Sequence, residues 1–163
     1  MRRLVWITVL AFFLAAPAAG FALTGDDDGT LSVKAGIGKV YLNFNGSAVG
    51  RVHNGVIRVT DPVASDGLGF DFSGCDQEHD RGTSTTICRG KDLRFRAIGG
   101  KYQIGLKGAG IYLSAVGHGY AVLNGAGDDP NIDVDGTYSL NDGPYRSLPD
   151  FLATVLLVAP AAG

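Results

Sequence analysis

Residues 92–125, DLRFRAIGGKYQIGLKGAGIYLSAVGHGYAVLNG, decide the fold, because much of the remaining chain repeats them. Gly99-Gly100 accepts the positive φ angles that a two-residue hairpin turn requires. A hairpin folded there places Phe95 opposite Ile104 and gathers the apolar side chains on one face. Because side chains alternate along a strand, a shift of one residue would expose that whole set to water. The stretch therefore predicts an antiparallel hairpin with a well-specified register.

The same pattern occurs earlier in the chain. Residues 31–46 repeat residues 93–108, with Ile37-Gly38 in place of the glycine pair. Further hairpin turns are indicated at Asn54-Gly55 and at residues 117–119. The repeat predicts an all-β protein, an antiparallel β-sandwich or flattened barrel built from two pseudo-repeated four-strand halves. A β-solenoid is the alternative, since glycine-punctuated short strands also suit stacked coils.

The beginning of the chain has the pattern of a signal peptide, residues 1–22. Arg2 and Arg3 precede an apolar run, and small residues suitable for cleavage follow it. Pro17 interrupts the run before it reaches the roughly 20 apolar residues of a membrane-spanning helix. We therefore expect a secreted protein, extracellular or associated with the cell envelope, with no transmembrane segment after cleavage.

The remaining residues, 23–163, suit one all-β domain. Its predicted parts are a first half at 29–60, a connection at 61–91, a second half at 92–125 and C-terminal strands at 126–163. The apolar stretch Phe151–Ala159 is too short to cross a bilayer and is expected to form a final buried strand, or else a short packed helix.

Cys75 and Cys88 are the two cysteines of the chain, and both fall in the connection. An even cysteine count in a secreted chain favours a disulfide. A metal site formed by the two cysteines with His79 is the alternative.

An aspartate-rich stretch near the end has the spacing of a calcium loop, with glycine at the sharp turn. The candidate ligands are Asp129, Asn131, Asp133, Asp135 and Asp142. The same residues also suit a solvated turn before a strand, so a calcium-dependent binding module is an alternative function, and no other cofactor is expected.

A basic stripe follows from the hairpin register. Arg94, Arg96 and Lys107 point away from the apolar face of the predicted hairpin, and Lys101 lies close by. Such a stripe could bind an anionic envelope polymer through charge and bidentate arginine contacts, or it could be an ordinary solvated face. The formal net charge of −2 argues against a nucleic-acid binder.

Catalytic motifs are not found in the sequence. The glycine-flanked serine of hydrolases, the zinc-protease helix and the phosphate-binding glycine loop do not occur. His53 and His118 lie at nearly corresponding predicted turns, where histidine is usually a surface residue. We therefore expect a protein that is not an enzyme; a pocket in which His and Asp side chains converge would favour a hydrolase instead.

Three stretches resemble those of uncharacterised secreted, glycine-rich all-β proteins of actinobacterial type: GTLSVKAGIGKVYLNF, residues 92–125 and DGTYSLNDG. The resemblance supports secretion and the all-β fold and implies no activity. Together with the residues themselves, it predicts a secreted, non-catalytic structural or binding domain of the cell envelope or extracellular space. Its expected partner is an anionic envelope polymer or another envelope protein.

Overall fold

A computed structural model describes residues 27–81, 84–127 and 135–160. These residues contain no helix and form eight strands, all paired antiparallel in one connected sheet. The strands are β1 Gly29–Thr60, β2 Phe70–Ser73, β3 Gln77–Arg81, β4 Thr85–Ala97, β5 Lys101–Gly125, β6 Thr137–Leu140, β7 Arg146–Ser147 and β8 Ala153–Leu157. The predicted signal peptide lies outside the described residues.

The two longest strands, β1 and β5, pair with each other along both of their edges. Leu106 of β5 pairs with Val40 on one side and with Ile57, seventeen residues further along β1, on the other. A straight strand cannot meet one partner residue twice in this way. The two strands therefore wind together as a coiled antiparallel ribbon, with the apolar side chains of both on the inside.

Glycines from neighbouring strands form two rows that cross this ribbon. One row runs through Gly125, Gly38, Gly108, Gly55 and Gly90, and the other runs through Gly29, Gly117, Gly46 and Gly100. Backbones approach so closely there that a Cβ atom on Gly55 would lie 2.1 Å from the carbonyl oxygen of Lys107. Within each long strand the rows recur every eight or nine residues, and they are the corners at which the ribbon bends.

The corners divide the coil into two layers, an arrangement consistent with a β-sandwich that is not closed into a barrel. The first layer holds the segments 30–37, 47–54, 91–97 and 109–116 with β2, β6 and β7, and the second holds 39–45, 56–60, 85–89, 101–107 and 118–124 with β3 and β8. The predicted all-β, antiparallel fold class is confirmed. β4 spans the expected boundary between the connection and the second half.

The predicted hairpins are wrong. After Ala97, which pairs with Ala48, the chain passes Gly99-Gly100 and continues along the same edge of β1, where Lys101 pairs with Asn45. Residues 66–69 cover this corner, so the glycine pair is a bend between layers and not a reversal of direction.

Phe95 consequently pairs with Gly50 of β1, whereas Ile104 pairs with Leu42 and Val59 of the same strand. Both side chains are nevertheless buried, because each lies on the inner face of its own layer. The alternation of apolar residues therefore identified the inner face correctly while the turn position was misread.

The apolar tail forms the last strand, β8, which pairs with β5. Leu157 is buried, but Phe151, Leu152 and Leu156 are exposed. The predicted strand is confirmed, and the prediction that it is buried is wrong for these three side chains, because Phe151 and Leu152 precede β8 and Leu156 alternates with the buried Leu157 along it.

Cys75 and Cys88 form the predicted disulfide, with their Cα atoms 5.3 Å apart. Because both sulfur atoms are used in this bond, the alternative metal site with His79 is wrong. In the described part of the chain there is no helix that is both long and apolar enough to cross a membrane.

Candidate functional site

The outward positions of the second layer carry five exposed basic residues. We call this surface the basic face, and its cations are Lys39, Arg58, Arg89, Lys101 and Lys107. No aspartate or glutamate occupies an outward position in the described segments 39–45, 56–60, 85–89, 101–107 and 118–124. These segments therefore carry positive charge although the whole chain is weakly acidic, and the Asp66 carboxylate, which accepts a hydrogen bond from the backbone N–H of Lys101 over 3.1 Å, lies at their edge.

Lys39 and Lys107 lie directly opposite each other on neighbouring strands. Like charges in such a pair destabilise a sheet, because the Cβ atoms are only about 5 Å apart. Within the described residues neither lysine forms an ion pair with a carboxylate. An anion bound between them would remove this repulsion.

An aromatic pair lies beside these cations. The rings of Tyr41 and Tyr120 are 6.3 Å apart between centroids, and the side-chain amide of Asn43 donates a hydrogen bond to the Tyr120 hydroxyl over 3.3 Å. Burial raises the pKa of Tyr41, and the neighbouring Tyr120 raises it further, while Arg58 acts in the opposite direction. The Tyr41 hydroxyl therefore remains a neutral hydrogen-bond donor at physiological pH.

The structure divides the predicted basic stripe between two faces. Lys101 and Lys107 belong to the basic face, whereas Arg94 and Arg96 point outward from the first layer. The stripe as predicted is therefore wrong, because it depended on a hairpin at Gly99-Gly100 that would have brought all four side chains together on or beside one surface.

Arg94 instead contributes to a concave site of about 360 Å³ on the first layer. Its neighbours in the sheet are Arg51 and then Tyr112, and the guanidinium carbon of Arg51 lies 4.1 Å from the centroid of the Tyr112 ring. The cation thus rests on the face of the aromatic ring, a favourable arrangement. This site is of the size that small ligands occupy.

A histidine and an aspartate converge at the same concave site. Nδ1 of His53 lies 2.7 Å from Oδ1 of Asp92, whose backbone is left-handed (φ 53°). The two side chains are 71% and 76% exposed. His118 forms a similar pair with Asp28, over 3.2 Å.

The calcium prediction falls largely outside the described residues, since Asp129, Asn131 and Asp133 are not among them. Asp135 accepts a hydrogen bond from the backbone N–H of Gly127 over 2.9 Å, and Asp142 is exposed. No group of three or more metal-ligating side chains occurs among the residues that the structure describes. The calcium loop stays a prediction.

No family model, no curated protein and no solved structure matches this chain.

Sequence reasoning missed Lys39 and Arg58 on the basic face, and Arg51 and Tyr112 at the concave site. All four were assigned to short hairpins, so their neighbours across the sheet were predicted wrongly. The signal that could have found them is the recurrence of glycine at 29, 38, 46 and 55 and at 90, 100, 108, 117 and 125.

Proposed function

We propose that this protein is a secreted, non-catalytic domain that binds an anionic polymer of the cell envelope through its basic face. The observation that carries the proposal is the set of five exposed cations in segments 39–45, 56–60, 85–89, 101–107 and 118–124, which contain no aspartate or glutamate. Such a surface attracts anions over a distance set by the salt concentration, about 8 Å at physiological ionic strength.

Two further features support this reading. The opposed lysines Lys39 and Lys107 are a local cost that an anionic partner would offset. The Cys75–Cys88 disulfide agrees with export to an oxidising compartment, as the signal-peptide pattern predicts.

Retention on an immobilised polyanion, measured as a function of salt, tests the proposal. The variant Lys39→Gln/Lys107→Gln removes two charges from the basic face and should weaken binding roughly tenfold, since exposed ion pairs contribute about 0.2–1 kcal/mol each. The matched control Arg94→Gln/Arg96→Gln removes the same charge from the other layer and should bind like the wild type. Equal losses in both variants would contradict the assignment to the basic face, and a wild type that is not retained at low salt would contradict the function.

Hydrolysis at the concave site is a second candidate function, favoured by the contact between His53 and Asp92. An aspartate that orients a histidine can prepare it to activate water. The high exposure of both side chains favours the binding function over this one, because catalytic pairs are usually shielded from solvent. Wild-type activity against ester or glycoside substrates that is lost in His53→Gln would establish a hydrolase function at the concave site. A wild type that is inactive against these substrates would contradict that function.

A further inference from the structure

Gly105 lies in the middle of the basic face, in a strand that has neighbours on both sides. Unlike most of the corner glycines, it does not have a left-handed φ angle. A Cβ atom placed there would meet only the Cβ of Arg58, at the ordinary contact distance of 3.9 Å. Neither the backbone nor the packing therefore requires glycine at this position.

Glycine inside a strand destabilises it relative to residues with a side chain. A glycine that nothing in the fold requires often marks a place where a ligand approaches the backbone closely. Because Gly105 has no side chain, the outer surface of the second layer is one side chain lower there than at the neighbouring residues, and we call this place the opening above Gly105.

The walls of the opening are an aromatic residue and a cation. Tyr41 and Arg58 flank Gly105 on the two neighbouring strands, while Gln103 and Lys107 precede and follow it on the same face of its own strand. Tyr41 is supported from behind by its ring contact with Tyr120.

These groups match the chemistry of a sugar ring that carries a carboxylate. The face of a tyrosine ring packs against the apolar C–H groups of a pyranose. The planar guanidinium of an arginine pairs with a carboxylate through two parallel hydrogen bonds, and a glutamine amide both donates to and accepts from hydroxyl groups.

We propose that the opening above Gly105 holds the ring of a hexuronic acid within an acidic polysaccharide. Tyr41 packs against the ring, Arg58 and Lys107 bind the carboxylate, and Gln103 binds a ring hydroxyl. This inference rests on the proposed function and names the class of polymer that the basic face binds.

Calorimetric titration with a hexuronate hexasaccharide, with its carboxyl-reduced counterpart and with linear polyphosphate tests the inference. The variant Gly105→Thr fills the opening with a residue that favours strands. Asn45→Thr, on the same face and next to the corner at Gly46, is the matched control. Both variants should unfold at a urea concentration no lower than the wild type.

The wild type and Asn45→Thr should bind the hexuronate at least tenfold more tightly than the carboxyl-reduced sugar. Gly105→Thr should lose at least tenfold in affinity for the hexuronate while retaining its affinity for polyphosphate. Two results would overturn the opening as a sugar site and leave the polyanion function intact. One is unchanged hexuronate binding by Gly105→Thr, and the other is a wild type that binds polyphosphate but does not bind the hexuronate. A wild type that binds neither polyanion would overturn both.

Discussion

Replacing Gly108 with alanine should destabilise the protein strongly, whereas the same change at Gly105, three residues earlier in β5, should stabilise it. Gly108 belongs to a corner row, has φ +146° and would place a Cβ atom 2.1 Å from the carbonyl oxygen of Asn54. At Gly105 the nearest atom would be 3.9 Å away. The same substitution in the same strand therefore compares a corner glycine with a mid-strand glycine.

The expected magnitudes follow from these contacts. A side chain forced into a backbone region that only glycine normally adopts costs about 1–3 kcal/mol. Relieving the contact with Asn54 also requires the strands to separate locally, which loses about 1 kcal/mol for each hydrogen bond that breaks. We expect Gly108→Ala to lower the free energy of unfolding by about 3 kcal/mol and Gly105→Ala to raise it by about 0.4–1 kcal/mol.

Urea unfolding followed by far-ultraviolet circular dichroism measures both changes. With a slope of about 2 kcal/mol per molar urea, the midpoint of Gly108→Ala should fall by about 1.5 M, and that of Gly105→Ala should rise by about 0.2–0.5 M. Tolerance of alanine at Gly108, or equal losses at both positions, would refute the reasoning that the glycine rows are close-contact corners.

Three other perturbations have defined outcomes. In the double variant Cys75→Ser/Cys88→Ser the free energy of unfolding, measured in urea, should fall by about 3 kcal/mol. A reducing agent should lower the free energy of unfolding of the wild type to the same value. Equal stability of the oxidised and the reduced wild type would contradict this prediction. Tyr102→Phe removes the hydroxyl that donates to the carbonyl oxygen of Gly69 over 3.1 Å and should cost about 1 kcal/mol at neutral pH. Burial raises the pKa of the Tyr102 hydroxyl above 10.0, so the unfolded chain loses this proton at a lower pH than the folded chain does. The free energy of unfolding of the wild type should therefore fall as the pH rises above about 10. The same alkaline decline in Tyr102→Phe would show that other groups cause the decline. The hydrogen bond with the Ser32 hydroxyl, followed by the contact with Lys34, lowers the pKa of Tyr145; in a spectrophotometric titration Ser32→Ala should raise it, and an unchanged curve would contradict the contact.

Local patterns in the sequence were enough to predict the all-β fold class, the inner face and the disulfide. Alternation is a property of each strand by itself, so Phe95 and Ile104 were both assigned to the core correctly. The disulfide followed from having two cysteines in a chain expected to be secreted. None of these inferences depends on which strand lies beside which.

The strand neighbours were mispredicted because glycine allows two different kinds of bend. Gly99-Gly100 satisfies the φ angles of a hairpin turn, but it also fits a corner at which a strand passes from one layer to the next. The choice depends on a contact with distant residues, since Gly46 donates its N–H to the carbonyl oxygen of Gly100. A local pattern cannot contain that information, and the basic stripe was misplaced as a result.

The coiled ribbon is the claim on which the basic face and the opening above Gly105 both depend. Cross-strand nuclear Overhauser effects in the isotopically labelled protein test it most directly. The coil predicts backbone contacts from Leu106 to Val40 and also to Ile57. Contacts from Leu106 to Leu93 and from Ile104 to Phe95 would instead establish the hairpin and contradict the account.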